Sequence, residues 1–163
     1  MSAVLFGRSL IWSCHDVSGI VSAATASILK DLLQQHSIRP WRLSTTKEGF
    51  VENANTDLVL GLSIWRLSRI EDLRSVALAV DSCRRRTPRP ICVVYCELPL
   101  QALVPILCES GAQLVVSSVP SLQRCIERNI NCIPLARQGF HPLTSGLVER
   151  LPWSSLTGED ESE

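Results

Sequence analysis

The sequence predicts an α/β fold in which a parallel sheet is covered by helices on both faces. Apolar runs typical of strands alternate along the chain with segments of helical spacing, and this alternation is characteristic of parallel sheets. The chain is 45% hydrophobic and only 20% charged, which suits strands that are buried on both sides. Its 163 residues are enough for one domain with its own core, so stability requires neither a metal nor a disulfide. Right-handed crossovers then limit the topology to a few doubly wound forms.

The first strand and helix carry the clearest pattern. Ser9 to Cys14 is an apolar run that predicts a strand. Asp16 or Ser18 follows it, and either side chain is suited to accept the free N–H groups of the next helix. The helix is predicted from apolar residues three and four positions apart, namely Ile20, Val21, Ala24, Ile28, Leu29, Leu32 and Leu33.

The next two units are less regular. Ile38 to Pro40 ends the first helix, Trp41 to Ser44 predicts a short second strand, and Lys47 to Asn55 predicts a short second helix. Asp57 to Ser63 predicts the third strand, because its continuous apolar run suits a central position in the sheet. Ser68 to Glu71 has the spacing of a capping box and predicts the start of the third helix.

The last two units follow in the same order. Ile91 to Cys96 predicts the fourth strand, and Pro99 to Gly111 predicts a helix with a kink or a short first turn at Pro105. Leu114 to Ser117 predicts the fifth strand, and a fifth helix begins near Pro120.

We assign residues 1–130 to one α/β domain and residues 131–163 to a C-terminal extension. The segment from Gln138 to Trp153 is too apolar for a free tail, so we expect the extension to dock on the domain; the alternative is a short linear motif that binds elsewhere. The acidic residues 158–163 predict a disordered tail.

Charge and cysteine content exclude several classes of function. Sixteen basic and sixteen acidic residues cancel, so no overall field draws the chain to nucleic acid or to an anionic membrane. The first residues predict neither a secretory signal nor a membrane span, and we expect a cytoplasmic protein. The seven cysteines include no Cys-x-x-Cys motif and are best interpreted as small buried apolar residues. No glycine-rich phosphate loop is present, and no cofactor is expected.

The order of these elements resembles a known family. Five βα units, the DLVL run at Asp57 to Leu60 and the Gly111-Ala112 pair before the last strand are similar to the receiver domain of bacterial two-component response regulators. The resemblance covers about residues 9–130. It implies a flavodoxin-like fold with strand order 2-1-3-4-5 and a role in signal transduction.

The residues that perform the chemistry of this family are missing. A receiver holds magnesium with an acidic pair after strand one, and it carries a phosphate-accepting aspartate, a hydroxyl residue and a lysine at the ends of strands three, four and five. The corresponding places here are Cys14-His15-Asp16, Leu62-Ser63, Tyr95-Cys96 and Ser117-Ser118. A leucine cannot accept a phosphoryl group. The resemblance therefore implies a degenerate receiver, or pseudo-receiver, that is not phosphorylated by the usual mechanism and has no catalytic residues.

We expect a non-catalytic module that binds a protein partner in bacterial signalling or regulation, with a homodimer as one form of that partner. Ligands bind such sheets beyond the carboxyl ends of the strands. The candidate binding residues at that edge are Cys14, His15, Asp16, Leu62, Ser63, Trp65, Cys96, Glu97 and Ser118. Trp65 is expected in a loop, where it either fills the vacated acidic pocket or anchors the partner.

The alternative is a small enzyme or a metal- or ligand-binding protein that uses a cluster of thiol, imidazole and carboxylate groups. Cys14, His15 and Asp16 are adjacent, however, and side chains alternate along a strand. This alternation disfavours convergence of all three on one point. We therefore expect no metal site.

Overall fold

The computed structural model describes residues 7–43 and 59–137. The short helix predicted for Lys47 to Asn55, the segment from Gln138 to Trp153 and the acidic tail at 158–163 lie outside these residues. No helix in the two described ranges is long and apolar enough to cross a membrane.

Five parallel strands form the sheet, in the order β2-β1-β3-β4-β5. This is the flavodoxin-like arrangement, and it confirms the predicted fold class. The bounds of the strands are β1 Arg8–His15, β2 Ile38–Arg42, β3 Leu62–Leu67, β4 Ile91–Cys96 and β5 Leu114–Val116. Strands β1, β3 and β4 are almost wholly buried, as expected for apolar strands that are covered on both faces.

Helices cover both faces of the sheet and divide its core into two main layers. On one face, α1 (Ile20–Gln34) and α4 (Val119–Asn129) pack against the sheet. On the other face, α2 (Leu73–Arg84) and α3 (Val104–Glu109) do the same. A 3₁₀ segment precedes α3, so Pro105 lies in the first turn of an α-helix, where its missing N–H costs nothing.

The third strand lies further along the chain than its apolar run predicts. We expected Asp57 to Ser63, whereas β3 extends from Leu62 to Leu67. Pairing fixes this position, because Leu62 lies beside Trp12 of β1 and the first residue of β4. Leu62 therefore begins the strand at the amino edge of the sheet, and the residues that reach the carboxyl edge are Arg66 and Leu67.

The start of the third helix also differs from its prediction. A 3₁₀ turn at Ile70–Asp72 comes first, and α2 begins at Leu73. No side-chain hydrogen bond caps either segment, so the predicted capping box is wrong. Ile70, in the 3₁₀ turn, lies on the surface.

The described residues end in a short strand beside β1. A short strand β6 (Ala136–Arg137) pairs antiparallel with Arg8 and Ser9 at the start of β1. The chain before β6 passes directly over Gly61, where a Cβ atom would lie 2.4 Å from the carbonyl oxygen of Pro134. Glycine is therefore required at position 61 for the extension to reach β1.

Candidate functional site

The carboxyl ends of β1, β3 and β4 bring three charged residues together. His15 pairs with Trp65 across β1 and β3, so the residues that follow them, Asp16 and Arg66, lie side by side at the edge of the sheet. Glu97 directly follows β4. We call the loops that leave these strand ends the carboxyl edge.

Asp16 is tied to the start of α1. Its Oδ2 accepts the N–H groups of Val21 at 2.7 Å and Ser22 at 3.4 Å, which lie in the first turn of the helix. Its Oδ1 accepts the N–H of Ser18 at 3.1 Å and the hydroxyl of Ser18 at 2.8 Å. The predicted capping role of Asp16 is confirmed, and its side chain is inaccessible to solvent.

Arg66 bridges the two acidic residues. Its Nη1 donates to Asp16 Oδ1 at 3.0 Å and also contacts the hydroxyl of Ser18, while its Nη2 donates to Glu97 Oε1 at 2.6 Å. The Arg66 side chain is only 19% exposed. A guanidinium with two carboxylate partners is well suited to such a position, since its planar donors are fixed in direction. We call this arrangement the Asp16–Arg66–Glu97 bridge.

The bridge fixes the charge state of its members. Burial alone would raise the pKa of Asp16, but hydrogen bonds from Ser18, Arg66 and two helix N–H groups outweigh it, and the pKa is lowered. The hydrogen bonds to Glu97 and Asp16 raise the pKa of Arg66. Asp16 and Arg66 are therefore both charged at neutral pH, and Arg66 occupies the space between the two carboxylates.

His15 and Trp65 lie beneath this bridge on the face of the sheet that carries α2. Their ring centroids are 5.3 Å apart. Trp65 is within β3 and only 4% exposed, so the prediction that it lies in a loop is wrong. Its Nε1 donates to the hydroxyl of Ser63 at 2.9 Å, which places Ser63 in the core rather than at the carboxyl edge. Trp65 therefore packs inside its own domain.

The two cysteines proposed for this edge are buried. Cys14 belongs to the core beneath α1, on the opposite face from His15, as alternation along the strand requires. Burial, with a smaller contribution from Asp16, raises the pKa of the Cys14 thiol to about 12. Burial likewise raises the pKa of Cys96, followed by the charge of Glu97. Neither thiol is placed or ionised to act as a nucleophile.

Two further candidate binding residues, Leu62 and Ser118, contribute to the packing and capping of the fold. Leu62 is completely buried in the core on the α1 face and is not part of the carboxyl edge. Ser118 is the N-cap of α4, where its hydroxyl accepts the N–H of Ser121 at 3.3 Å. Of the nine candidates, the structure gathers His15, Asp16, Trp65 and Glu97 around Arg66.

An open cleft of about 780 Å³ lies beside the bridge. One side is formed by the loop between β1 and α1, and the other by the segment from Ser68 into α2. We call it the edge cleft. The side chains that line it include His15, Val17, Arg69, Asp72, Ser75 and Leu78.

Sequence reasoning missed Arg66, although a signal for it was present. An arginine in an otherwise apolar run is almost never buried without a partner. The LSIWRL run therefore required an acidic residue from another strand, and Asp16 and Glu97 were the candidates at neighbouring strand ends.

Comparison with known proteins finds no matching protein-family model and no curated protein of significant sequence similarity. Within the described ranges, no group of three or more histidine, cysteine, aspartate or glutamate residues is placed to hold a metal ion.

Proposed function

We propose that this chain is a non-catalytic, receiver-like module of bacterial signalling or regulation, which binds a protein partner through its carboxyl edge. The observation that carries the proposal is a ring of exposed apolar side chains around this edge. Val17 is 98% exposed in the loop after β1, and Ile20 begins α1 beside it. Ile70 and Leu98 are exposed after β3 and β4.

The position of these residues favours a binding surface over a chance exposure. Six large apolar side chains are exposed among the described residues, and the four named above are among them. Leu78, which lines the edge cleft, is the fifth of the six near this edge. Only Ile106 lies elsewhere, in α3. Clustered apolar exposure on a folded domain is typical of protein interaction sites.

The Asp16–Arg66–Glu97 bridge supports the non-catalytic part of the proposal. The carboxyl end of β3, where a receiver carries its acceptor aspartate, holds a cation in this chain. A guanidinium cannot replace the aspartate carboxylate in forming an acyl phosphate, and the charge of Arg66 offsets part of the negative charge that would otherwise attract magnesium. With β3 at Leu62–Leu67, the residue near the place of the receiver's acceptor aspartate is Arg66 and not Leu62. Phosphorylation by the receiver mechanism is still not expected.

The alternative, a small enzyme or metal site built on Cys14, His15, Asp16 and Cys96, receives less support. Both thiols are buried, and Asp16 is fully engaged by α1 and Arg66. His15 is the one member of that set whose side chain is not committed to the core or to the bridge, and a single imidazole is insufficient for this chemistry.

The experiment uses the full chain as bait for affinity capture from a lysate of the cells that produce it, followed by mass spectrometry. The variants Val17→Asp and Ile70→Asp are used as bait in parallel. A partner that is retained by the wild type and lost from both variants supports the proposal. Ile106→Asp is the matched control, because it places the same charge on an exposed apolar position outside the ring. Sedimentation of the same variants tests whether the partner is a second copy.

Equal loss of the partner from Ile106→Asp would show that the carboxyl edge is not the binding surface. Recovery of a stable acyl phosphate after incubation with acetyl phosphate would overturn the non-catalytic assignment.

A further inference from the structure

The edge cleft lies where doubly wound sheets bind small molecules. From β1 the chain proceeds to β2 on one side, and from β3 it proceeds to β4 and β5 on the other. The carboxyl ends of β1 and β3 therefore flank the point at which the strand order changes direction, and ligands of open α/β sheets bind in the crevice at such a point. The cleft volume of about 780 Å³ falls within the range of small-molecule sites.

The charges in the cleft are of two kinds. Asp16 and Arg66 neutralise each other within the bridge. Arg69 and Asp72 also line the cleft, and neither makes an ion pair or a side-chain hydrogen bond with any residue of the described ranges. The cleft thus offers one uncommitted cation and one uncommitted anion at the two ends of a single 3₁₀ turn, where Arg69 is the N-cap and Asp72 is the last residue.

The remaining lining has two complementary parts. Val17, Val76 and Leu78 provide apolar surface, and Ser68 and Ser75 provide hydroxyl groups that make no side-chain hydrogen bond within the described part of the chain. An apolar wall with a few polar groups is the usual composition of a small-molecule site.

We infer that the edge cleft binds a zwitterionic small molecule, namely a free amino acid with an apolar side chain. The carboxylate meets Arg69, the ammonium group meets Asp72, and the side chain packs between Val17 and Leu78. An anionic ligand would pair with Arg69 but be repelled by Asp72, and a cationic ligand would do the reverse. A zwitterion can pair with both residues. This inference goes beyond the protein contact proposed above and does not depend on it.

The test uses isothermal titration calorimetry of the full chain with three probes of similar size. L-Phenylalanine carries both charges, 3-phenylpropionate lacks the ammonium group, and phenethylamine lacks the carboxylate. We expect L-phenylalanine to bind with a dissociation constant of about 1 mM or below, and the other two probes to bind roughly two- to fivefold more weakly.

The variants Arg69→Gln and Asp72→Asn assign the binding to the cleft. Each is expected to weaken L-phenylalanine binding by roughly two- to fivefold, because an ion pair with the ligand is lost. Arg74→Gln is the matched control, since Arg74 is an exposed arginine at the start of α2 that does not line the cleft. Because Arg69 and Asp72 are exposed and have no described side-chain partners, unchanged thermal unfolding is expected for all three variants.

The inference is overturned by any of three results: no heat of binding with L-phenylalanine at about 10 mM, equal binding of a singly charged probe, or unchanged binding by Arg69→Gln and Asp72→Asn. Affinity capture of the protein partner with Arg69→Gln and Asp72→Asn separates the two proposals. Amino acid binding can be absent while the partner is still lost only from Ile70→Asp, and amino acid binding can be present when no partner is captured.

Discussion

Arg66 Nη1 donates to Asp16 Oδ1 at 3.0 Å, across the ends of two neighbouring parallel strands. The same Asp16 carboxylate accepts the first N–H groups of α1, and the same guanidinium reaches Glu97 after β4. The Asp16–Arg66–Glu97 bridge, which consists of two ion pairs, thus joins β1, α1, β3 and β4 at the edge where this fold normally performs its chemistry. Its main effect is to hold three strand ends in one arrangement.

Removal of Arg66 should destabilise the domain more than removal of a surface arginine. In Arg66→Ala, the solvent-inaccessible carboxylate of Asp16 loses its counter-charge, and we expect a loss of about 2 kcal/mol in the free energy of unfolding. Urea denaturation at neutral pH measures it. Arg85→Ala is the control, because its i,i+4 pair with Asp81 is largely exposed and should be worth about 0.5 kcal/mol or less. Similar losses in both variants would contradict a stabilising role for the bridge.

The lowered pKa of Asp16 predicts a specific dependence of stability on pH. A carboxyl group whose pKa is lower in the folded state stabilises the fold above its unfolded pKa of 3.8, and this contribution is lost as the pH falls through the folded value. The difference in unfolding free energy between wild type and Asp16→Asn should therefore be constant above about pH 5 and shrink below pH 3.8. Denaturation curves at several pH values measure it, and a difference that persists unchanged into strong acid would refute the assignment.

The fold class follows from the sequence because each strand and helix carries its own local pattern. The position of β3 does not, since the apolar run continues from Leu58 through Gly61 to Leu67 and periodicity alone cannot say which part pairs. Pairing with Trp12 and Ile91 decides it, and those contacts are distant in sequence.

The site was predicted less completely than the fold, for a related physical reason. The capping role of Asp16 is local, and its sequence signal was sufficient. The role of Arg66 depends on carboxylates that follow two other strands, 50 and 31 residues away, and the local pattern that signals a partner for this arginine does not identify which residues supply it. Because β3 was predicted a few residues too early, Leu62 was expected at the carboxyl edge in the place that Arg66 occupies.

Gly61→Ala should release the C-terminal extension from the sheet. The added Cβ would lie 2.4 Å from the Pro134 carbonyl oxygen and 2.6 Å from Leu10 Cδ1, so the backbone before β6 has to move. We expect a loss of about 2 kcal/mol or more and faster amide exchange at Ala136 and Arg137. Gly19→Ala is the control: it has open space around it and should cost only about 1 kcal/mol for its positive φ. Unchanged exchange at β6 in Gly61→Ala would contradict the docked arrangement.

Arg66 also predicts how the edge responds to magnesium. In the wild type, the guanidinium occupies the space between Asp16 and Glu97 and repels a divalent cation. In Arg66→Ala the two carboxylates lose the guanidinium between them. They then offer two oxygen ligands at one sheet edge, which is a suitable start for a magnesium site. We expect about 10 mM MgCl₂ to raise the melting temperature of Arg66→Ala by a few degrees and to leave the wild type unchanged. Arg85→Ala, which alters an exposed pair elsewhere, should behave like the wild type. Equal stabilisation of all three proteins by magnesium would show that Arg66 does not control cation binding at this edge.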